Sequence, residues 1–246
     1  LYGQERLSMN KGWSFKYIAQ DSKETESVFN QYFYKNAQMN PIGWSQDELM
    51  QPSYDDSMWR TINVPHDFVI ESVPLEGMTD ANRGFFERGI GIYRKIFDIP
   101  ASDKGKRIWI RFEGVTRDAQ VFLNGFKLLE HKSGYAPFRI DISDVVRYGH
   151  QKNVLLVVCD SRQWEGWWYE GGGIYRPVYM EKSGGSLYFE PNGIAVNPIL
   201  SSDFTSANVE VHYTVQNRAR RSRTFELVTK IIDKEGAEVN SSSSTF

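Results

Sequence analysis

The chain has 246 residues, with 29 Lys and Arg against 31 Asp and Glu, for a formal net charge of −2. That balance excludes a dedicated nucleic-acid binder, whose electrostatic footprint is basic. No run of about eighteen apolar residues is present to span a membrane as a helix.

With 40% hydrophobic and 24% charged residues, the composition is that of a globular protein. Its length suits one large β domain, or one domain and part of another. Aromatic residues reach 14%, including 7 Trp and 13 Tyr. Flat amphipathic rings serve both large β cores and sugar stacking. The single Cys159 rules out an intrachain disulfide and a thiolate metal cluster. Following the apolar run Val154 to Val158, it reads as a buried, inert thiol. Leu1 stands where an initiator methionine would, which fits a processed leader or a trimmed chain; the compartment stays open, with a periplasmic or secreted location slightly favoured over a cytoplasmic one.

In chain order, the first regular element is a short helix around Glu24 to Tyr34, and strand signals follow. Asp56 reads as a turn or cap, with Trp59 as its core anchor. In Arg107 to Val115, Ile108, Ile110 and Phe112 alternate with Trp109, Arg111 and Glu113. Ala119 to Leu123 alternates likewise, and Asn124-Gly125 then supplies a two-residue hairpin turn into Phe126 to Leu129. Asn153 to Asp160 is a nearly continuous apolar strand, buried on both faces. Strands separated by turns, with almost no helix between them, predict an all-β sandwich.

A boundary is expected between Lys182 and Asn192, where Ser183-Gly184-Gly185-Ser186 is poor in side chains and Pro191-Asn192-Gly193 is turn chemistry. It divides the chain into domains at 1–186 and 187–246. Beyond it, Val209, Val211, Tyr213 and Val215 share one face of a strand, Phe225 to Asp233 forms another, and Lys234-Glu235-Gly236 turns the chain. An immunoglobulin-like sandwich needs about 100 residues. The second domain is therefore expected to be incomplete.

Several segments resemble glycoside hydrolase family 2, in that family's order. They are Tyr54 to Arg60 with Val64-Pro65-His66-Asp67-Phe68, Gly89 to Lys95, Phe112-Glu113-Gly114-Val115 with Val121 to Gly125, Gly134 to Phe138 with Asp141 to Ser143, and Trp168 to Val178. The Pro-His-Asp-Phe wording is most similar to the β-galactosidase branch, ahead of β-glucuronidases and β-mannosidases. The resemblance implies a jelly-roll sugar-binding domain and the start of an immunoglobulin-like domain. It also implies a catalytic (β/α)₈ barrel as the partner of both. A barrel needs about 250 residues of alternating strand and helix, which this sequence lacks. The two carboxylates of a retaining glycosidase belong to that barrel. No catalytic residue is therefore assigned here, and the segment alone should be inactive. A free-standing carbohydrate-binding module is the rival reading.

The resemblance also marks substrate contacts. Asn82 lies in the loop before the Gly-Ile-Gly-Ile-Tyr-Arg strand, where an asparagine of β-galactosidases meets the galactosyl unit; an amide both donates to and accepts from hydroxyls. The alternative for Asn82 is an Asx-turn. Glu165 and Trp167 are the other substrate candidates, in a segment that holds three of the seven tryptophans, with Glu170 a further acceptor. Trp168 reads instead as filling an interface between domains. Two additional glycines, and Trp167 where many relatives carry Arg, depart from the family pattern. No cofactor or metal is assigned to this segment, while the full enzyme has room for a divalent or sodium ion. A homo-oligomer is compatible with the sequence.

The remaining polar motifs read as structural. His66 and Asp67 tie down a loop through side-chain to backbone bonds. Gly171-Gly172-Gly173 permits a backbone turn, since no lysine or helix start follows it as in a phosphate loop. Arg176 is expected to pair with Glu113 or Asp118. The run Arg218 to Arg223 is a solvated turn or a domain contact.

Overall fold

The computed structural model describes residues 5–34, 45, 47–76, 84–163 and 166–246. Two compact units divide between Ser183 and Gly184. Each is described by itself.

In the first unit the described strands begin with β1 (Glu5–Ser8), β2 (Trp13–Ala19), β3 (Arg60–Ile62), β4 (Gly89–Phe97) and β5 (Ile108–Phe112). They continue with β6 (Ala119–Leu123), β7 (Phe126–His131), β8 (Phe138–Asp141), β9 (Asn153–Asp160) and β10 (Val178–Lys182). All pairings are antiparallel. One sheet has the order β1-β10-β5-β8 and the other β3-β2-β4-β9-β6-β7. Sequence neighbours are thus often split across the two layers, as in a jelly roll.

The layers close on a core that includes Trp13, Phe15, Tyr93, Ile108, Ile110, Phe112, Val121, Leu155 and Val157. Each large apolar side chain so buried contributes about 1.5–3 kcal/mol. Residues of β6 and β9 alternate between this core and a second cluster behind the six-stranded sheet, where Phe122, Leu156 and Val158 meet Tyr32 and Met50. Helix α1 (Glu24–Phe29) and a π-turn at Asn30–Tyr34 cover that outer face. Strand β9 is buried at all eight positions because both of its faces are covered. Cys159 lies within it, and burial pushes its thiol pKa well up.

Asn124 and Gly125 take φ of 52° and 91°, the left-handed conformations a two-residue hairpin turn requires. Asn124 has a second task. Its amide donates to the carbonyl of Val145 and to Asn153, and its oxygen accepts from Val154 N–H, so the turn is fastened to the start of β9.

Arg94 is the largest charge in the interior. Its side chain is fully buried on β4 and sends Nη1 to Asp56 (2.5 Å), Nε to the Leu49 carbonyl (2.8 Å) and Nη2 to the Gln51 carbonyl (2.7 Å). Asp56 therefore anchors the Asp-x-x-Trp segment through this ion pair, beyond the turn in which Trp59 N–H donates to its carbonyl. Trp59 packs on the second cluster.

Arg176 departs from expectation. It is exposed and lies 5.3 Å from the ring of Tyr175, while Glu113 pairs with Arg6 and Arg111, and Asp118 with Arg117. Charged partners were nearer for both carboxylates: strand residues Arg6 and Arg111 for Glu113, and the adjacent loop residue Arg117 for Asp118.

The second unit holds the two expected strands and two further ones, as two antiparallel hairpins. These are β11 (Leu187–Leu200) with β12 (Ala207–Asn217), and β13 (Glu226–Ile232) with β14 (Glu238–Thr245). Pro191-Asn192-Gly193 does not turn the chain: β11 runs through it, and the register shifts between Phe189 and Ile194. A bulge absorbs the residues that would otherwise end the strand. Ser241 to Ser244 lie in β14, paired to Val228 and its neighbours, because ladder bonds do not depend on side chains. The Arg218 to Arg223 run is a solvated turn closed by Asn217, whose side chain bonds Ala219 N–H and the Arg221 carbonyl. Tyr213 and Thr229 hydroxyls meet at 2.6 Å, joining the two hairpins.

Replacing Arg94 with Met should destabilise the protein by about 3 kcal/mol, because Asp56 and two carbonyls lose their donor together. Urea unfolding reads this loss. Arg94→Lys should recover only part of it, having no fork to serve three acceptors.

Candidate functional site

Of the polar and aromatic residues singled out above, His66, Asp67, Trp167, Trp168 and Glu170 lie where residues 64–69 meet residues 166–174. The backbones pair first: His66 N–H donates to the Ile174 carbonyl (2.8 Å) and Phe68 N–H to that of Gly172 (2.9 Å). Gly173, at φ 117°, also exchanges bonds with Thr116. A Cβ at Gly173 would fall 2.1 Å from the Tyr93 hydroxyl and 2.8 Å from the His66 carbonyl. The glycine run thus answers to close approach.

Asp67 is the joint of this arrangement. Its Oδ1 accepts from the N–H groups of Val69 (3.0 Å) and Gly172 (2.9 Å), and Oδ2 from the Tyr169 hydroxyl (2.8 Å). Burial and this carboxylate together hold the Tyr169 phenol far above its ordinary pKa, so it stays a donor. His66 is buried, with Nδ1 2.8 Å from the Tyr93 hydroxyl and Nε2 3.2 Å from Glu71. Desolvation lowers its pKa, and the Glu71 carboxylate opposes that shift. Asp67 fastens the loop through backbone N–H groups, as the sequence suggested, while the His66 ring meets two side chains, Tyr93 and Glu71, instead of backbone.

Glu170 is not a sugar acceptor in this arrangement. Its side chain is 3% exposed, paired with Arg88 at 3.1 Å and accepting from Gly166 N–H at 2.9 Å. It shapes the turn that presents the tryptophans. Arg88 and Tyr135 escaped the sequence reading. A buried Glu in a glycine-rich stretch demands a cation, which was the available signal for Arg88.

The turn leaves an aromatic rim. Trp167 is 78% exposed and Trp168 52%, and the Trp168 indole N–H donates to the Tyr135 hydroxyl at 3.1 Å. Tyr169 packs edge-on against Phe86 at 5.6 Å. Of the three substrate candidates, Trp167 stands on this rim, while Asn82 and Glu165 lie outside the described residues. Exposed rings with hydroxyl and indole donors at their edges can stack on a sugar ring and bond its hydroxyls. Among the described residues, no group of three or more His, Cys, Asp and Glu is placed to hold a metal ion. None of their helices is long and apolar enough to cross a membrane.

The family description "Glycosyl hydrolases family 2, sugar binding domain" matches residues 8–183. The chain belongs to glycosyl hydrolase family 2. Its first unit is the family's sugar-binding domain. The chain is 32% identical over 194 residues, 78% of its length, to the β-galactosidase BoGH2A of Bacteroides ovatus. A β-glucuronidase of Formosa agariphila is 30% identical over 76% of the chain. A β-glycosidase structure from Bacteroides vulgatus superposes on 98% of the chain with a TM-score of 0.77 and 30% identity. The chain spans about a fifth of the length of these curated relatives, 22% and 21%, and 28% of that solved chain.

Two outcomes check the joint. Gly173→Ala should cost about 1–3 kcal/mol of stability, since φ and close contact both oppose a side chain; calorimetry reads it. For His66, the folded pKa lies below the unfolded value near 6.5, so the unfolded state binds the proton more readily. Its contribution is complete above about pH 6.5 and is lost as pH falls through the folded value. The melting temperature should therefore drop on acidification, and His66→Gln should flatten that profile.

Proposed function

We propose that this family-2 domain serves a retaining glycosidase that hydrolyses terminal β-D-galactosides, with the bond-breaking carboxylates on a separate catalytic barrel. The observation that carries the reading is the aromatic rim of Trp167, Trp168 and Tyr169, held by Asp67 and the buried Arg88–Glu170 pair. In it Trp167 stacks on the substrate, and Asn82 and Glu165 supply bonds to its hydroxyls. The Pro-His-Asp-Phe motif and the similarity to BoGH2A support the galactoside choice.

The two carboxylates of a retaining mechanism stand about 5 Å apart, one as nucleophile and one as acid/base. This domain would contribute neither. It would close one wall of the pocket and orient the terminal sugar, raising the fraction of productive encounters. A β-glucuronide substrate is the second reading, favoured by the nearly equal similarity to the Formosa enzyme.

Kinetics of the whole enzyme on chromogenic β-galactoside, β-glucuronide and β-mannoside should give the highest kcat/KM for the galactoside. A glucuronide preference would install the second reading, and a mannoside preference would defeat both. Trp167→Ala should lower kcat/KM about fivefold, the ~1 kcal/mol an aromatic contact adds.

A further inference from the structure

We infer that the sandwich carries an additional carbohydrate subsite on the outer face of its six-stranded sheet, sized for one neutral pyranose ring. The inference stands apart from the substrate reading above, because it rests on other residues.

A cavity of about 260 Å³ opens beside α1 and the π-turn. That is just under the roughly 300–1,000 Å³ of common ligand pockets, which suits a single ring rather than a chain. Phe29, Phe33 and Tyr34 wall it. Phe29 and Phe33 stack at 5.1 Å with 15° between their planes, and Tyr34, 69% exposed, sits edge-on to Phe29 at 5.3 Å. Such a wall offers apolar surface to the C–H face of a sugar.

The rest of its lining is polar: Asp118, Gln120, Glu130, Lys132, Asp160 and Gln163. Gln120 is the decisive residue. It is 2% exposed on β6, on the side of the strand that carries Phe122, away from the main core. Its amide bonds the Glu130 carboxylate, yet its buried Oε1 has no hydrogen-bond partner among the described residues. Buried acceptors in native proteins are paired with few exceptions, so this oxygen calls for a donor beyond those the described residues supply. A sugar hydroxyl supplies one. Asp118 offers a second acceptor: burial, reinforced by Asp160, holds its carboxyl above the usual range, so it lacks the solvation that would compete with a hydroxyl.

Charge selects the ligand class. Asp160 is bound by Arg162 at 2.7 Å, Asp118 faces Arg117 at 3.4 Å, and Glu130 is met by Lys127 at 3.3 Å and Lys132 at 3.5 Å. Every carboxylate at the cavity has a cation beside it. Neither an amine nor an acidic sugar gains a net partner there, and a neutral polyol loses nothing. The flat aromatic wall then prefers a ring to an open chain.

Amide NMR of the 246-residue chain titrated with methyl β-D-galactopyranoside, methyl β-D-glucopyranoside, methyl β-D-glucuronide and sorbitol tests this. Saturable shifts are expected at the Gln120 side-chain amide, Phe33 and Tyr34 with at least one neutral pyranoside. Binding should weaken about tenfold in Tyr34→Ala and in Gln120→Leu, and should be weaker for the glucuronide and absent for sorbitol. Tyr34 is exposed, so its variant keeps the fold and the test holds even if Gln120→Leu unfolds. No saturation by either neutral pyranoside would overturn the inference, as would shifts confined to Trp167–Tyr169. So would an equal response to sorbitol, a tighter glucuronide, or unchanged affinity in Tyr34→Ala.

Discussion

A single carboxylate, Asp67, makes the aromatic rim a defined object. It accepts bonds from two backbone segments over a hundred residues apart in sequence and from the Tyr169 hydroxyl. Charge-assisted bonds of this kind are shorter and stronger than neutral ones. Without it, the Gly172 N–H would lose its acceptor and the Tyr169 hydroxyl its partner. The interlock also explains why three glycines occur together: the loop below leaves no room for side chains.

The unit places its other buried charges by the same logic. Arg94 and Arg88 each sit at the base of an irregular segment, and each satisfies backbone carbonyls as well as a carboxylate. Irregular backbone exposes polar groups that a sheet would have paired. A guanidinium fork meets several of them at once from one rigid element. Loops can then carry exposed tryptophans while the sandwich beneath them stays fixed.

Division of labour follows from this. A rigid two-layer scaffold with ordered loops suits recognition, because substrate geometry is set before binding. The chemistry of glycosidic cleavage calls for two carboxylates at a fixed separation. Two described carboxylates beneath the rim are instead spent on structure: Asp67 on N–H groups and a phenol, Glu170 on Arg88.

The sequence by itself determined several strands and the hairpin turn after β6, since alternation in Ile108 to Phe112 and the Asn124-Gly125 pair are local signals with local causes, whereas Pro191-Asn192-Gly193, read as a turn, lies inside β11. It also revealed the family through ordered motifs, and it marked His66 and Asp67 as loop fasteners. Tertiary structure alone decided the partners. Arg176 was expected to be paired and is exposed, while Arg94, beside Lys95 in a largely apolar strand, holds a buried ion pair with Asp56. Glu170 could not be separated from a sugar ligand until Arg88 was seen beside it, and Gln120 could not be known as buried and half-satisfied until β7 brought Glu130 across from it. Strand propensity is a property of neighbours along the chain. Ion pairing depends on which distant residues the fold brings within a few ångströms, and no local pattern encodes that distance.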